Sequence, residues 1–320
     1  MATYNGAEYI DEQIASIINQ SYRDWILIAS DDGSKDCTVQ ILERYARIDS
    51  RIIIIKNEGI HGAYSNFWNA IEWYKRKHGR AKWFFYCDQD DIWTENKMEI
   101  EVGELKRLSP TDGSPCLVYS DLALMNRAGS LLGTRLSDYT DIDLSENPLN
   151  IFFSHRYIWG TTMAHNSSLW NTVVVPVEHN RNKLSHDHYI PKYAVLLGKV
   201  KYIDSPLVLY RRHGSNVSEI PASYSLAKGA VRAVTQWRSV VENHAHTYWA
   251  SIQVLKSMAC QTEAGSELMR CFQQGGVFGV RYLIFNHIRT SKNLFNLLAL
   301  YMIMLFKLYQ YTSWFNKLVN

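Results

Sequence analysis

Three carboxylates stand within four positions of the segment 86–93, Tyr-Cys-Asp-Gln-Asp-Asp-Ile-Trp. Asp88, Asp90 and Asp91 follow an apolar run, and like charges this close repel unless a cation or a set of donors lies between them. Such oxygens bind hard divalent ions, Mg²⁺ or Mn²⁺, which usually share their shell with a diphosphate. The segment therefore predicts a metal site that neutralises a departing diphosphate, and the alternative is an acidic turn capping a helix at Thr94.

A second acidic motif, Asp-Asp-Gly-Ser at 31–34, also ends an apolar run. A carboxylate on such a loop can accept a hydrogen bond from the N3–H of a uracil or thymine ring, and Gly33 permits a tight turn. The same residue types are good helix caps, so the alternative is an N-cap for a helix that begins near Lys35. The motif by itself leaves both interpretations open.

Two motifs further along the chain carry groups for proton transfer and phosphate binding. In His186-Asp187 the carboxylate can take the proton from an attacking hydroxyl, whereas the alternative is a helix cap. In the segment 210–216, Tyr-Arg-Arg-His-Gly-Ser-Asn, arginine can grip phosphate oxygens bidentately and His213 can bind a metal. The alternative for this segment is a solvated basic turn.

Short apolar runs and amphipathic segments alternate through the first half of the chain. Ile10, Ile14, Ile17 and Ile18 fit one face of a first helix. Strands are predicted at 25–30, 51–55, 83–87 and 116–120, and helices between and after them, including 94–108. This alternation predicts an α/β fold with a mostly parallel sheet covered on both faces, whose ligands bind beyond the carboxyl ends of the strands. Both acidic motifs fall at such ends, so we expect them at one edge of the sheet.

The rest of the chain shows a less regular pattern of predicted elements. The segment 110–150 is predicted as a long loop with short elements. Further elements are predicted as a strand at 158–164, a helix within 184–197, and short strands at 200–204 and 207–210. After residue 216, aromatic and basic residues at helical spacing predict a helical extension.

Composition limits the classes of protein that fit this chain. It has 320 residues, 47% of them hydrophobic, and a net charge of only +3, which fits a globular protein. Residues 220–320 carry ten Lys or Arg against three Asp or Glu, so the charge is unevenly placed. Five cysteines without a Cys-x-x-Cys pair, and no signal peptide, predict a reduced cytoplasmic protein. Binding of nucleic acid and a dinucleotide-binding dehydrogenase are both disfavoured, because neither recognition motif is present.

Five motifs occur in an order that resembles a family 2 glycosyltransferase, and more narrowly the bacterial rhamnosyltransferases that build cell-wall and capsular polysaccharides. They are Met-Ala-Thr-Tyr-Asn-Gly at 1–6, Ser-Asp-Asp-Gly-Ser at 30–34, Cys-Asp-Gln-Asp-Asp-Ile-Trp at 87–93, His-Asp-His-Tyr at 186–189, and the segment 210–216. The resemblance covers about residues 1–216. It implies a GT-A fold, a metal-dependent inverting transfer and a nucleotide-diphosphate sugar donor.

The resemblance also implies roles for individual residues. The nucleotide base would be held by Tyr4 and Asp32, with the backbone of Ala2 and Thr3 adjoining. Asp88 and Asp90 would form an Asp-x-Asp motif for Mg²⁺ or Mn²⁺, with Asp90 the direct ligand. Arg211 and His213 would bind the diphosphate, His213 also contributing to the metal site. Asp187 would be the catalytic base, and the acceptor pocket would comprise Trp159, Gly160, Thr161 and His186.

The expected domain organisation follows from the same resemblance and from the charge pattern. A catalytic domain at 1–218 would divide into a nucleotide-sugar half at 1–120 and an acceptor half at 121–218. The basic, apolar helical extension at 219–320 contains an uncharged run at 293–306, which is too short to span a bilayer. We expect it to lie on an anionic membrane surface, and the alternatives are packing against the catalytic domain or a homodimer contact.

The resulting functional hypothesis is transfer of L-rhamnose from dTDP-rhamnose to a lipid-linked glycan, at the inner face of the bacterial plasma membrane. One alternative is a hexosyl or amino-sugar transferase that uses a UDP-sugar on the same scaffold. Another is a catalytically silent assembly subunit. Two departures from the family pattern are expected to matter. The chain lacks apolar residues ahead of Met1, which suggests a truncated first strand, and Arg212 replaces the more usual glutamine.

Overall fold

A computed structural model describes residues 1–77, 79–109, 113–139, 147–154, 158–214, 236–258 and 262–316. The chain forms two compact units. The first comprises Met1–Leu136, Trp159–Asp187 and Lys201–Glu219, and the second comprises Ser137–Ile158, His188–Val200 and Ile220–Asn320. The boundary predicted near residue 218, like Ser215 and Asn216 of the basic motif, lies outside the described residues.

The first unit begins with a parallel three-stranded sheet. Its strands are β1 Ala2–Thr3, β2 Leu27–Asp31 and β3 Ile52–Lys56, in the order β1-β2-β3. The helices that follow these strands are α1 Ile10–Ile18, α2 Thr38–Ile48 and α3 Ala63–Arg76. Thr3 pairs with Asp31, and Asp31 with Lys56, so all three strands end at one level. This common end puts the loops after β1 and β2 side by side.

Helical spacing of apolar side chains explains the helices that cover this sheet. Ile10, Ile14 and Ile17 are fully buried and repeat at three and four residues, so one stripe of α1 faces the core. In α3 the same spacing buries Phe67, Trp68 and Ile71. Crossover helices of this kind are what parallel strands require. The α/β class predicted from the alternation is confirmed in this part of the chain.

A second sheet of the first unit contains six strands. They are β4 Trp83–Phe85, β5 Ile92–Trp93, β6 Cys116–Met125, β7 Leu131–Arg135, β8 Met163–Asn166 and β9 Lys199–Arg211. The order is β4-β8-β6-β9-β5, with β7 beside β6, and the pairs β4–β8, β6–β8, β5–β9 and β6–β7 are antiparallel. Helices α4 Lys97–Leu108 and α6 Ser167–Thr172 belong to the same unit, whereas α5 Leu136–Tyr139 and α7 His186–Leu197 begin in it and continue into segments of the second unit. The pairs of the first sheet are thus parallel, and these four pairs of the second sheet are antiparallel.

Two local predictions are wrong. The strand predicted at 116–120 is present as the first half of β6, but the described part of the segment predicted as a long loop with short elements at 110–150 contains the whole hairpin β6–β7. Its turn is closed by the hydrogen bond from the Asn126 amide to the Ser130 carbonyl. Gly129 has a φ of 83°, which glycine adopts without strain. The two short strands predicted around Pro206 form the single strand β9, because a proline is tolerated where its missing N–H is not needed by the ladder.

The described part of the second unit is mainly helical. Its long helices are α8 Trp237–Ser257, α9 Glu263–Gln274, α10 Gly276–Phe285 and α11 Leu294–Leu305, and the short α12 Ser313–Asn316 follows. Tyr248, Phe272 and Tyr309 form its aromatic centre, where the Tyr309 hydroxyl donates to the Phe272 carbonyl. The predicted helical C-terminal region is thus confirmed. Within the described ranges, no helix has both the length and the apolar character needed to cross a membrane.

Candidate functional site

One large cavity, of about 1240 Å³, lies within the first unit where the strands of the first sheet end. Segments that are distant in sequence converge on it: the end of β1, the loop after β2, the loop 88–90, residues 159–161, the start of α7 and the end of β9. The predicted site residues that line it are Ala2, Thr3, Tyr4, Asp32, Asp88, Asp90, Trp159, Gly160, Thr161, His186, Asp187 and His213. Arg211 is the predicted site residue that does not line the cavity.

Asp32 lies at one end of this cavity and is held by three donors. Its Oδ1 accepts from the Asn57 amide at 2.6 Å and lies 2.9 Å from His61 Nδ1, and its Oδ2 accepts from the Gly62 N–H at 2.7 Å. A carboxylate has about four acceptor sites, so Oδ2 keeps one for a ring N–H. The capping alternative for this motif is wrong, because α2 begins at Thr38 and not near Lys35.

The neighbouring Asp31 supports the loop instead of facing the cavity. Its carboxylate accepts from the amides of Gly33 and Ser34 and from the hydroxyls of Ser34 and Thr3. These four hydrogen bonds fix the turn after β2, which positions Asp32. The two adjacent aspartates thus have different tasks, one structural and one at the cavity wall.

The acidic loop divides in a similar way. Asp88 and Asp90 line the cavity, whereas Asp91 is fully buried and its Oδ1 accepts from the Arg211 amide at 3.3 Å. Burial, together with the nearby Asp90 and Asp187 charges, raises the pKa of Asp88 to about 7. Burial likewise raises the pKa of Asp91 well above its usual range. The cavity therefore concentrates negative charge at one spot, where a bound cation would relieve the repulsion.

Asp90 joins the acidic loop to His213, two residues after the end of β9. Its Oδ2 lies 2.8 Å from Nε2 of His213, and the His213 ring stacks on Tyr9 at 4.9 Å between centroids. The carboxylate of this pair is the kind of ligand that Mg²⁺ or Mn²⁺ prefers, with phosphate oxygens and water completing the shell. No group of three or more potential ligands stands ready for a metal within the part of the chain that the structure describes. The Asp88 and Asp90 carboxylates at the cavity wall are oxygen ligands of the kind that Mg²⁺ or Mn²⁺ shares with a diphosphate.

Asp187 stands at the start of α7 beside the acceptor segment. Its Oδ2 accepts a hydrogen bond from the Gly160 amide at 3.2 Å, and its charge is close enough to raise the pKa of Asp88. The carboxylate thus faces the same cavity as the acidic loop. This position suits a group that takes a proton from a bound hydroxyl.

His186 is buried against aromatic rings and lines the same wall. Its ring centroid lies 4.0 Å from that of Phe67 and 4.7 Å from that of Tyr86, and burial lowers its pKa to about 3. Neither ring nitrogen has a hydrogen-bond partner among the described residues. A Cβ on Gly160 would come within 2.6 Å of Nε2, so only glycine leaves room for this imidazole. A neutral histidine is therefore available to bind a hydroxyl of a ligand.

The predicted role of Arg211 is not supported, because its guanidinium is already occupied. It is almost fully buried, and donates to the Asp90 carbonyl, the Arg127 carbonyl and Oε2 of Glu12, at 3.0, 3.0 and 2.6 Å. Arg211 instead fixes the main chain of the acidic loop to β9. The preceding residue, Tyr210, lines the cavity instead, since neighbouring side chains of β9 point to opposite sides.

Several cavity residues were missed by sequence reasoning. The cations Arg127 and Lys35 line the cavity, and Arg127 forms an ion pair with Glu8, with nitrogen–oxygen distances of 2.9 and 2.8 Å. Arg127 follows β6 and falls in the segment that was predicted as a loop, so nothing in the sequence marked it. Gln89 lies between Asp88 and Asp90, and its side-chain amide accepts from the Tyr4 N–H and donates to the Tyr4 carbonyl.

The residues predicted for the acceptor are less regular than expected. Gly160–Thr162 forms a turn of 3₁₀ helix, and only Met163–Asn166 of this region is a strand, β8. The predicted strand at 158–164 is therefore only partly present. The Thr161 hydroxyl accepts from the Trp93 indole at 3.3 Å, and this contact anchors the turn to β5.

Comparison with known proteins gives consistent results. The sequence model of the family described as "Glycosyl transferase family 2" matches residues 1–167. An uncharacterized glycosyltransferase of Haemophilus influenzae is 28% identical over 229 residues, which cover 69% of this chain and 66% of that protein, just under two thirds of its length. The dTDP-rhamnosyl transferase RfbG of Shigella flexneri is 27% identical over 224 residues, which cover 68% of this chain and 72% of that protein.

A solved structure shows the same fold. The crystal structure of S. aureus TarS in complex with UDP-GlcNAc aligns with a TM-score of 0.54 and 14% identity, over 89% of this chain and 71% of that one. At this level of identity the similarity concerns the fold alone. The expected GT-A architecture is confirmed in this sense.

Proposed function

Because the chain belongs to glycosyl transferase family 2, we propose that it transfers a sugar from a nucleotide-diphosphate donor to a glycan acceptor in bacterial surface polysaccharide synthesis. One observation carries the proposal. A single cavity of the first unit is lined by Asp32, by the pair Asp88 and Asp90 with His213, and by Asp187. These groups match the three needs of the reaction: holding a base, neutralising a diphosphate and accepting a proton.

Donor binding would use the end of the cavity at β1 and β2. Asp32 accepts a hydrogen bond from the ring N3–H through the free site on Oδ2, while the exposed Tyr4 ring offers a face for stacking. The ring N3–H is common to uracil and thymine, so this contact accepts both UDP- and dTDP-sugars. Ala2 and Thr3 adjoin this end of the cavity and can contact the nucleoside through their backbone.

The diphosphate would lie between Asp90, His213 and the basic residues Arg127 and Lys35, all of which line the cavity. Asp88, Asp90 and His213 would hold Mg²⁺ or Mn²⁺, which supplies positive charge to the leaving diphosphate. Arg127 adds a guanidinium that can exchange its contact with the exposed Glu8 for a phosphate oxygen. The raised pKa of Asp88 means that the site gains from any ligand that brings positive charge.

Transfer would be a single displacement. Asp187 removes the proton from the acceptor hydroxyl, the hydroxyl oxygen forms the new bond to the anomeric carbon, and the bond to the diphosphate breaks on the opposite face. One base and one displacement invert the anomeric configuration. The backbone N–H of Gly160 orients the Asp187 carboxylate. The neutral imidazole of His186, with Trp159 and Thr161, would contact the acceptor.

The choice of sugar is the finer part of the proposal. We propose L-rhamnose from dTDP-rhamnose, supported by the five sequence motifs and by the similarity to RfbG, and a lipid-linked glycan acceptor at the inner face of the plasma membrane. The second candidate is a hexosyl or amino-sugar transferase that uses a UDP-sugar. The base contact permits it, because that contact does not distinguish the two pyrimidines.

A donor panel tests this function. Purified protein is incubated with dTDP-rhamnose, UDP-glucose and UDP-GlcNAc, a lipid-linked acceptor mimic and Mn²⁺, and release of the nucleoside diphosphate is measured. We expect the highest turnover with dTDP-rhamnose, loss of turnover with EDTA, and an inverted anomeric centre in the product. Highest turnover with a UDP-sugar supports the second candidate. Donor binding without turnover for every donor would identify a silent assembly subunit.

A further inference from the structure

Two neighbouring helices of the second unit, α10 and α11, leave many large apolar side chains in solvent. Phe285 is 71% exposed, Phe295 is 51% exposed and Phe306 is 55% exposed. Together with Ile284, Leu298 and Met302 they are called the α10–α11 apolar face. Soluble monomers rarely expose a concentration of large apolar side chains like this without a partner.

The face exists because the opposite sides of both helices are already packed. Leu283 of α10 and Ile303 of α11 are buried, and Gly279 lets the two helices approach, since a Cβ there would lie 2.5 Å from the sulfur of Met304. Leu298 and Met302 of α11, and Phe306 that caps its C-terminus, follow at intervals of four residues and therefore share one stripe. These exposed side chains are thus an outer face and not gaps in the core.

The positive charge around this face favours an acidic partner. From Leu268 to Asn320 the sequence has no acidic residue, while Arg281, Arg289, Lys292 and Lys307 are exposed in or beside α10 and α11. A second copy of this chain, docked symmetrically through the same face, would bring these cations against one another. An acidic lipid surface instead attracts each of them.

The length of the helices limits how deeply this face can enter a lipid bilayer. Helix α11 has 12 residues and is about 18 Å long, whereas the hydrocarbon core of a bilayer is about 30 Å thick. The face can therefore sink into the headgroup region but not cross the membrane. We infer that the α10–α11 apolar face docks on the surface of an anionic lipid bilayer. The inference rests on the proposed function in one respect, since a lipid-linked acceptor would be met at a membrane surface. The physical argument itself uses residues of the second unit alone.

Vesicle flotation tests the inference with the full-length chain. The protein is mixed with phosphatidylcholine vesicles, with or without 30 mol% phosphatidylglycerol, and the bound fraction is measured at low and high salt. We expect binding to the anionic vesicles that weakens as salt rises. Phe285→Ser/Phe295→Ser and Arg289→Glu/Lys292→Glu should each lower the partition coefficient at least about tenfold.

Matched controls exclude a general effect of surface change. Ile48 is 75% exposed and Leu131 is 60% exposed, both in the first unit, so Ile48→Ser/Leu131→Ser should leave flotation unchanged. Equal loss of binding in this control, or equal binding to neutral vesicles, would overturn the inference. The inference would also be overturned if the Phe285 and Phe295 changes abolished self-association, measured by sedimentation velocity, and had no effect on flotation. Flotation does not need turnover. An inactive protein that floats as expected would therefore contradict the proposed function and still support the docking face.

Discussion

The side-chain amide of Gln89 pairs with both main-chain groups of Tyr4, accepting from its N–H at 2.8 Å and donating to its carbonyl at 3.0 Å. This pair joins the residue after β1 to the loop that carries Asp88 and Asp90. Gly6 makes the pairing possible, because a Cβ at that position would lie 2.3 Å from the Gln89 oxygen. The residue after β1 and the loop of Asp88 and Asp90 are therefore held together by one amide.

Gly6→Ala and Gln89→Ala should have the same effect, because each removes this pair. We expect each to lower the free energy of unfolding by roughly 1 kcal/mol and to weaken donor binding several-fold. The double variant should be no worse than either single variant, since the lost contact is shared. Chemical denaturation and calorimetric titration with donor measure both quantities. Gly103→Ala, at an open site inside α4, is the control: it should raise stability by roughly 0.5–1 kcal/mol and leave donor binding unchanged. Additive effects in the double variant would contradict the pairing.

Asp187→Asn tests the catalytic base. We expect the rate of transfer to fall about 10²- to 10⁴-fold, because the amide cannot take the proton, while the donor dissociation constant changes little. Steady-state kinetics and titration with the unreactive nucleoside diphosphate give the two values. Asp24→Asn, at an exposed position in the same unit, should leave both values unchanged. A collapse of donor affinity with high residual turnover would show that Asp187 binds the donor instead.

Asp88 should make the stability of the metal-free protein depend on pH. Its pKa in the folded protein is raised to about 7, above the usual value of 3.8, so the folded state binds more protons than the unfolded state between these values. Stability should therefore fall as pH rises from about 4 to about 7. Mn²⁺ with a nucleoside diphosphate should raise the melting temperature more at pH 8 than at pH 6, where a proton competes with the cation.

The Asp88→Asn variant is the control for this pH effect. The amide carries no charge, so the metal-free variant should melt at least about 2 °C higher than the parent at pH 8. Its stabilisation by Mn²⁺ should be smaller than in the parent and lose its dependence on pH. Differential scanning fluorimetry across the pH range measures these quantities. An unchanged pH profile in the variant would assign the effect to another group.

A buried ion pair in α4 gives a prediction about stability alone. Lys97 and Glu101 are both fully buried, one helical turn apart, with Nζ 2.6 Å from both carboxylate oxygens. Glu101→Gln should cost about 3–5 kcal/mol, because it leaves a buried ammonium without its counter-charge. Lys97→Met/Glu101→Leu should cost much less, since both charges leave together. Urea denaturation measures the difference, and equal costs for the two variants would show that the pair contributes only packing.

The sequence by itself determined the strand–helix alternation of residues 1–120 and the polar clusters at strand ends. Apolar periodicity depends only on residue type and spacing, so α1 and β2 could be predicted from it. The helix cap near Lys35 and the loop at 110–150 could not be decided this way. Both depend on backbone partners that are remote in sequence, such as β8 for β6.

Only the tertiary structure decided which charged side chains reach the cavity. Asp90 and Asp32 line the cavity, whereas their neighbours Asp91 and Asp31 are buried beside it. Arg127, which the sequence did not single out, lines the cavity, and Arg211 is buried. Neighbouring side chains of an extended backbone point to opposite sides, and the packing of adjacent strands fixes which side is open. A motif names the residue types near a strand end, but the fold alone chooses the one that meets the ligand.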